Sequence, residues 1–325
     1  MTQRLLSYCI IILCLPLLSF AKSNIWIDYD IAIGKKVRDV DDGFTLVHVL
    51  TNSNTLELKG VSGVYGNISD MDFMKEETHR IFSFFDGTEI PFHPGAISAS
   101  QLGQTTSASQ ALTTELEKGP LTVVATGRMT NIATVLMQRT ELAKNIRELV
   151  IIAGRRIERS TAYGPRKIIF PDTNIDGDVA AVKIIIKNRI AVVMIPVEAM
   201  MENIMTGEHL DQLKDKGGVF RYISKNSWFW LKMFRTFIGG KGFIPWDLFA
   251  ATYLTHPQDF ACYRNIPYGL KWMKNDTHSL FRPNKPKEKD FLVASYDLES
   301  KALGTYCYSI KETHLQSVLD GWGTN

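Results

Sequence analysis

From Asn24 onward, apolar and polar positions follow two alternating rhythms. Short runs rich in β-branched and aromatic residues predict buried strands at IWIDYD (Ile25–Asp30), LELKGVSGVYGN from Leu56, LTVVATG (Leu121–Gly127), ELVIIAG (Glu148–Gly154) and IAVVMIPV (Ile190–Val197). Between them lie longer stretches with helical spacing: Asp42–Ser53, Asp72–Phe85, Ala108–Lys118, TNIATVLMQR and DVAAVKIIIKN. Strands that alternate with helices predict an α/β fold, a doubly wound and mainly parallel sheet covered on both faces. Late in the chain, FLVASYD and GTYCYSI flank a turn and predict a small C-terminal β-hairpin, and LQSVLDGW predicts a short closing amphipathic helix.

The first residues break this rhythm. Arg4 leads into the apolar run Leu5–Phe20, and the small residues Ser19 and Ala21 fit a signal-peptidase site. The expectation is therefore a signal peptide over 1–21, cleaved after Ala21, then a single catalytic domain over 22–325 in an exported, periplasmic or secreted, protein. The run is shorter than the roughly 20 residues that a membrane-spanning helix needs, and no other segment reads as one. Cys9 and Cys14 leave with the leader. Cys262 and Cys307 remain, either as one disulfide suited to an oxidising compartment or as two buried thiols.

Composition narrows the partners. The 325 residues are 45% hydrophobic with a net charge of +3, which speaks against a nucleic-acid groove or a polybasic membrane patch. There is no low-complexity segment, and the polar stretch RPNKPKEKD at Arg282–Asp290 reads as a loop.

Ligands of doubly wound sheets gather beyond the carboxyl ends of the strands. Asp28 and Asp30 end the first predicted strand, Asn67 follows the second, Thr126-Gly127 end the third and Gly154 the fourth. Asp41 and Asp42 open the next helix. One capping acid explains part of that pair, but four carboxylates aimed at one crevice repel each other unless a cation neutralises them. Oxygen donors without a Cys/His cluster favour a hard ion, Ca²⁺ or Mg²⁺, and calcium is the easier one to retain outside the cell. A D-x-D after a first strand also suits a metal-dependent phosphatase with an Asp nucleophile, which leaves Asp41 and Asp42 without a task. The histidines show no zinc or triad spacing.

The ordered blocks IDYD…DVDDGFTL, GVSGVYGN, VVATGRMTNIA, PDTNIDGDVAAV and PWDLFAATYLTHP resemble those of the calcium-dependent nucleoside hydrolases, also called inosine–uridine-preferring nucleoside N-ribohydrolases. The resemblance implies cleavage of the N-glycosidic bond of a ribonucleoside to free base and ribose at a Ca²⁺ site. It makes Asp30 both a metal ligand and the base that activates water, with Asp42, the Thr126 carbonyl and Asp247 as further ligands. Asp41, Asn67, Asp172 and Asn174 would bind the ribose, and Asp28 would brace the metal shell. Trp246 stands where other members carry a histidine acid, which resembles the purine-preferring branch, whose indole stacks on the base. Trp228 and Trp230 in SWFWLKMF are further stacking candidates, or else core or lid residues. The partner implied is a small nucleoside, with no nucleic acid, no membrane after leader cleavage, and a possible homo-oligomer.

Two departures bear on substrate. The family places its base and Asp pair closer together, whereas here IAIGKKVRDV separates Asp30 from Asp41. That insertion makes Asp39 a second-choice site residue and brings Lys35, Lys36 and Arg38 to the rim, as a solvated loop or as receivers of an anionic group such as phosphate. AGRRIERSTAYGPRKIIFPDTN is longer before Asp172 than the resemblance implies and offers no equivalent of the amide that reads the ribose 5′-hydroxyl, and Asp172 stands where a longer glutamate is usual, which leaves recognition of the 5′ end open. A ribosyl-compound binding protein with little turnover is the competing expectation.

Overall fold

The computed structural model describes residues 22–158, 162–278 and 285–323. The expected leader, 1–21, and the first residues of the polar loop, 282–284, lie outside the described residues. The strands are β1 (Ser23–Tyr29), β2 (Leu56–Gly63), β3 (Phe92–His93), β4 (Leu121–Ala125), β5 (Ile146–Ile151), β6 (Val192–Met194), β7 (Phe260–Lys274), β8 (Glu288–Ala294) and β9 (Leu303–Ile310). They form one nine-stranded sheet in the order β3-β2-β1-β4-β5-β6-β9-β7-β8. Every pair from β3 through to β9 is parallel; β9–β7 and β7–β8 are antiparallel.

Strand alternation sorts side chains to the two faces, as a period of two requires. Ile25, Ile27 and Tyr29 of β1 enter one core and Trp26 the other; Val124 and Val150 join the first, Val123 and Leu149 the second. The first core is covered by α1 (Asp41–Thr51) and α2 (Met71–Phe82), the second by α3 (Ser107–Lys118) and α4 (Thr130–Gln138). Two later helices are α5 (Thr173–Asp176) and α6 (Val179–Lys187), the latter on the second face. The remainder are α7 (Val197–Met200), α8 (Gly207–Lys216), α9 (Gly218–Ile238), α10 (Leu248–Thr255) and α11 (His314–Gly321). Of these, α8 to α11 pack on the first face. Among the described residues no helix is long and apolar enough to cross a membrane.

The C-terminal hairpin is present, but its arms differ from the expectation. Phe291–Ala294 of FLVASYD lie in β8 and GTYCYSI in β9, and these two strands do not pair with each other. The long strand β7, which the sequence pattern does not single out, stands between them and forms the hairpin with β8. β9 returns to lie parallel to β6 and antiparallel to β7. That register sets Cys262 opposite Cys307, and the two form a disulfide.

Candidate active site

The strand order reverses at β1. From there β2 and β3 run to one side and β4, β5 and β6 to the other, so the crevice beyond the ends of β1 and β4 is the topological switch point of the sheet. Asp28 and Asp30 come from β1 and the residue just past it, and Thr126 from the residue after β4.

Asp28 is fully buried and turned into the protein. Its Oδ1 accepts from Ser62 Oγ (2.5 Å) and Asn131 Nδ2 (2.8 Å), while Oδ2 has no hydrogen-bond partner among the described residues. Burial pushes its pKa up to about 7. Asp30 faces the crevice, and its Oδ2 accepts from the Asn67 backbone N–H at 2.6 Å. Burial raises its pKa to about 6.

The insertion forms a turn before α1. The N-cap of α1 is Val40, and no side chain caps the helix. Asp41 and Asp42 are therefore spent on the site rather than on the helix end. Asp42 Oδ1 accepts from Thr126 Oγ1 at 2.6 Å, and its Oδ2 is buried with no partner among the described residues. Asp41 Oδ2 accepts from the backbone N–H of Asp247, which opens α10, at 3.2 Å. Asp39 is tied to Asn67 in both directions, its N–H to Oδ1 (3.3 Å) and its carbonyl to Nδ2 (3.0 Å).

Burial, and after it the charge of neighbouring carboxylates, lifts Asp39, Asp42 and Asp247 well above the usual carboxylate range; burial raises Asp41 as well. The carboxyls face each other, Asp30 with Asp42 and Asp41 with both Asp247 and Asp39, and among the described residues they do not by themselves close a cage of three ligating side chains. The donor chemistry nonetheless fits a hard divalent cation. Among the described residues the carboxylate oxygens crowd together and one oxygen of Asp42 has no hydrogen-bond donor, a set of hard oxygen ligands.

A cavity of about 1200 Å³ opens over this floor. Asp30, Asp39, Asp41, Asn67, Thr126, Asp172, Asn174, Trp246 and Asp247 all line it, whereas Asp28 and Asp42 lie behind its wall. Asn174 Nδ2 donates to the Thr126 carbonyl at 2.7 Å. Asp172 is held by backbone on both oxygens: it caps α5 through Ile175 N–H (3.2 Å) and accepts from Gly154 N–H (2.9 Å). Gly154 sits at φ 93°, the left-handed region that glycine tolerates, so Asp172 also fixes the turn after β5. The aromatic wall comprises Phe170, Trp230, Phe234 and Trp246, with the Phe170 and Trp246 rings edge to face at 5.2 Å. Trp228 lies off the cavity, packed near Gly207.

Of the insertion cations only Arg38 reaches the cavity. Lys35 pairs with Asp70 (3.1 Å) and covers the Phe73 ring, and Lys36 is exposed. Sequence reasoning missed Arg128 and the pair Arg155–Asp276 (2.8 Å), which also line the cavity or its margin. The one signal for Arg128 was a lone cation in VVATGRMTNIA, directly after a strand-end crevice.

A family model described as inosine-uridine preferring nucleoside hydrolase matches residues 25–290. Similar solved structures include a plant nucleoside hydrolase (16% identity, TM-score 0.73, 94% of this chain and 100% of that one). A purine-preferring ribonucleoside hydrolase from Gardnerella vaginalis is similar at 17% identity and TM-score 0.68, over 92% of this chain and 97% of that one. An inosine-uridine preferring nucleoside hydrolase from Bacillus anthracis is similar at 13% identity and TM-score 0.65, over 92% and 99%. No curated protein matches the chain.

Proposed function

The chain belongs to the inosine-uridine preferring nucleoside hydrolase family, and on that footing we propose that it is an exported, Ca²⁺-dependent nucleoside N-ribohydrolase that leans toward purines. The observation that carries the proposal is the crowd of buried carboxylates, Asp30, Asp41, Asp42 and Asp247, under an aromatic-walled cavity at the sheet's switch point.

Asp30, Asp42, the Thr126 carbonyl and Asp247 would hold the ion. Bound there, Ca²⁺ supplies positive charge that eases deprotonation of a water and favours a ribose diol. Asp30 takes the proton from the water that attacks C1′ as the N-glycosidic bond breaks, and the bonding pair leaves with the base. Its side chain is set for this by the Asn67 N–H, which fixes one oxygen. Asp41, Asn67 and Asn174 orient the ribose hydroxyls from the cavity wall. The surrounding carboxylates favour the oxocarbenium character of the transition state. Asp28, engaged by Ser62 and Asn131, braces the strand end from behind.

Trp246 with Phe170, Trp230 and Phe234 offers apolar faces to a purine, which is what supports the purine preference. Asp172, with both oxygens taken by backbone N–H groups, has less left to offer a sugar than the resemblance implied, and we assign it chiefly to holding Gly154. Export is supported by the apolar run Leu5–Phe20 with the small residues Ser19 and Ala21 at its end, and by the Cys262–Cys307 disulfide, which suits an oxidising compartment. The sheet that runs unbroken from β1 to β9 supports one catalytic domain over 22–325.

The test is hydrolysis of a panel of purine and pyrimidine ribonucleosides, with and without chelator. Release of base that stops on chelation, returns with Ca²⁺ and disappears in Asp30→Asn is the expected result. Undiminished turnover by Asp30→Asn removes Asp30 as the base.

A further inference from the structure

Two guanidinium groups line the cavity outside any close ion pair. Neither Arg38 nor Arg128 takes part in an ion pair among the described residues. Their situations differ. Arg38 is exposed, on the insertion before α1.

Arg128 is half-buried and held in place. Its guanidinium lies 4.5 Å over the Tyr65 ring. On another side it abuts Gly177 so closely that a methyl group there would fall 2.2 Å from Nε and 2.4 Å from Nη2. Tyr65 is itself anchored, donating to the Gly177 carbonyl at 3.3 Å and accepting from Thr130 Oγ1 at 3.4 Å. Nε is enclosed, with no hydrogen-bond partner among the described residues. A guanidinium fixed by Tyr65 and Gly177 in the wall of a substrate cavity, outside any ion pair among the described residues, is a preorganised anion receiver.

The other acids along the wall are largely spoken for. Asp172 is bound by backbone N–H groups, Asp176 is paired with Lys289 at 2.5 Å, and Glu198 accepts from Tyr306. The acids whose charge does act on Arg128 are Asp178, which accepts from Thr130 Oγ1 at 2.6 Å, and Asp30, and neither comes within ion-pair distance of it among the described residues.

Resting on the nucleoside hydrolase reading of the site, we propose that Arg128, assisted by Arg38, is a specificity residue that takes a phosphate group on the ribose, so that the preferred substrate is a ribonucleoside 5′-monophosphate rather than the free nucleoside. The altered stretch before Asp172, where the resemblance predicts a reader of the 5′ end, is consistent with this change of duty. Phosphate is the anion that a planar guanidinium fork binds with two parallel hydrogen bonds.

The experiment compares kcat/KM for a purine nucleoside and its 5′-monophosphate on the full protein with Ca²⁺. An advantage of about tenfold or more for the monophosphate is expected, the scale at which a dedicated charged contact discriminates. Arg128→Gln should shrink that ratio by a similar factor, Arg128→Lys should restore part of it, and Arg38→Gln should move it in the same direction by less. Equal rates on the two substrates in the wild type, or an equal fall on both in Arg128→Gln, overturns the assignment. If Arg128→Gln does not fold, the Arg38→Gln ratio and wild-type calorimetry with ribose 5-phosphate against ribose decide. Should the protein hydrolyse neither substrate, the hydrolase reading fails on its own. Tighter binding of ribose 5-phosphate than of ribose, lost in Arg128→Gln, would still sustain the anion site, and indifferent binding would end it.

Discussion

Gly66 and Asp30 are fitted to one another: a methyl group on Gly66 would stand 1.7 Å from Asp30 Oδ2. The glycine thus lets the chain after β2 close on the carboxylate, and the next residue, Asn67, donates its N–H to that same oxygen at 2.6 Å. Gly66→Ala is expected to push Asp30 aside and cut kcat by about a hundredfold, the cost of displacing a reacting group by an ångström or so. Circular dichroism should show the fold intact, because Gly66 lies in a loop. Wild-type kcat in Gly66→Ala would mean that Asp30 is not held for catalysis in this way.

The crowding of carboxylates predicts how the protein responds to calcium. Asp42 carries one buried oxygen with no partner and is raised by burial and by Asp30 and Asp41. Asp42→Asn keeps an oxygen to accept from Thr126 and removes a charge from the crowd, so its thermal midpoint in chelator should equal or exceed that of the wild type. Added Ca²⁺ should stabilise the wild type by about 2–3 kcal/mol at a hundred times its Kd, while Asp42→Asn responds weakly. A calorimetric scan with and without Ca²⁺ reads both. An unchanged calcium response in Asp42→Asn would remove Asp42 from the ligand set.

Trp246 tests the purine preference. Its ring is one of the aromatic faces of the cavity and meets Phe170 edge to face at 5.2 Å. Trp246→Ala should lower kcat/KM for purine nucleosides about three- to tenfold more than for pyrimidines, the range expected of an aromatic contact. A parallel loss on both base classes would assign Trp246 to packing alone.

How much of this was legible in the chain follows from the range of the interactions involved. β1, β4 and β5 are short parallel strands, and their apolar runs announce them locally. The Asp28–Asp30 and Asp41–Asp42 pairs stand out because like charges so close together require a reason. The hairpin arms were not legible, since nothing in FLVASYD or GTYCYSI records that β7 lies between them. The backbone N–H groups of Gly154 and Ile175 that hold Asp172 were not legible either, because only the folded turn supplies them. The disulfide depended on register, which sets Cys262 against Cys307 across two antiparallel strands. Arg128 escaped notice because its value comes from Gly177 and Tyr65, both distant in sequence.

That disulfide closes a loop of 45 residues that contains the whole of β8. Cross-linking a loop of that size is expected to contribute about 2–4 kcal/mol, mainly by restricting the unfolded chain. The double variant Cys262→Ser/Cys307→Ser should lose that much in urea denaturation, as should wild type under strong reductant. Identical midpoints for oxidised and reduced protein would show that the strand ladder alone sets the stability of this edge.

His48, away from the cavity lining, makes its own contribution to the response to acid. Trp322 donates its indole N–H to His48 Nδ1 at 3.1 Å, which leaves Nε2 to carry the proton toward Thr255 Oγ1 at 2.8 Å. The ring is thus held in one neutral tautomer. Burial, reinforced by the nearby His256 and His314, lowers its pKa from 6.5 to about 3. Between those two values the unfolded chain binds a proton that the folded chain refuses, so this contribution to stability rises with pH. It is complete above pH 6.5 and is lost as the pH falls toward about 3. The slope for one such group approaches about 1.4 kcal/mol per pH unit. His48→Gln should be less stable than wild type at pH 7, having lost the Trp322 and Thr255 contacts, yet the gap should narrow steadily on acidification through that window. Urea midpoints of both proteins from pH 7 to pH 4 measure the gap directly. A gap that stays constant would show that His48 is not the group that resists protonation.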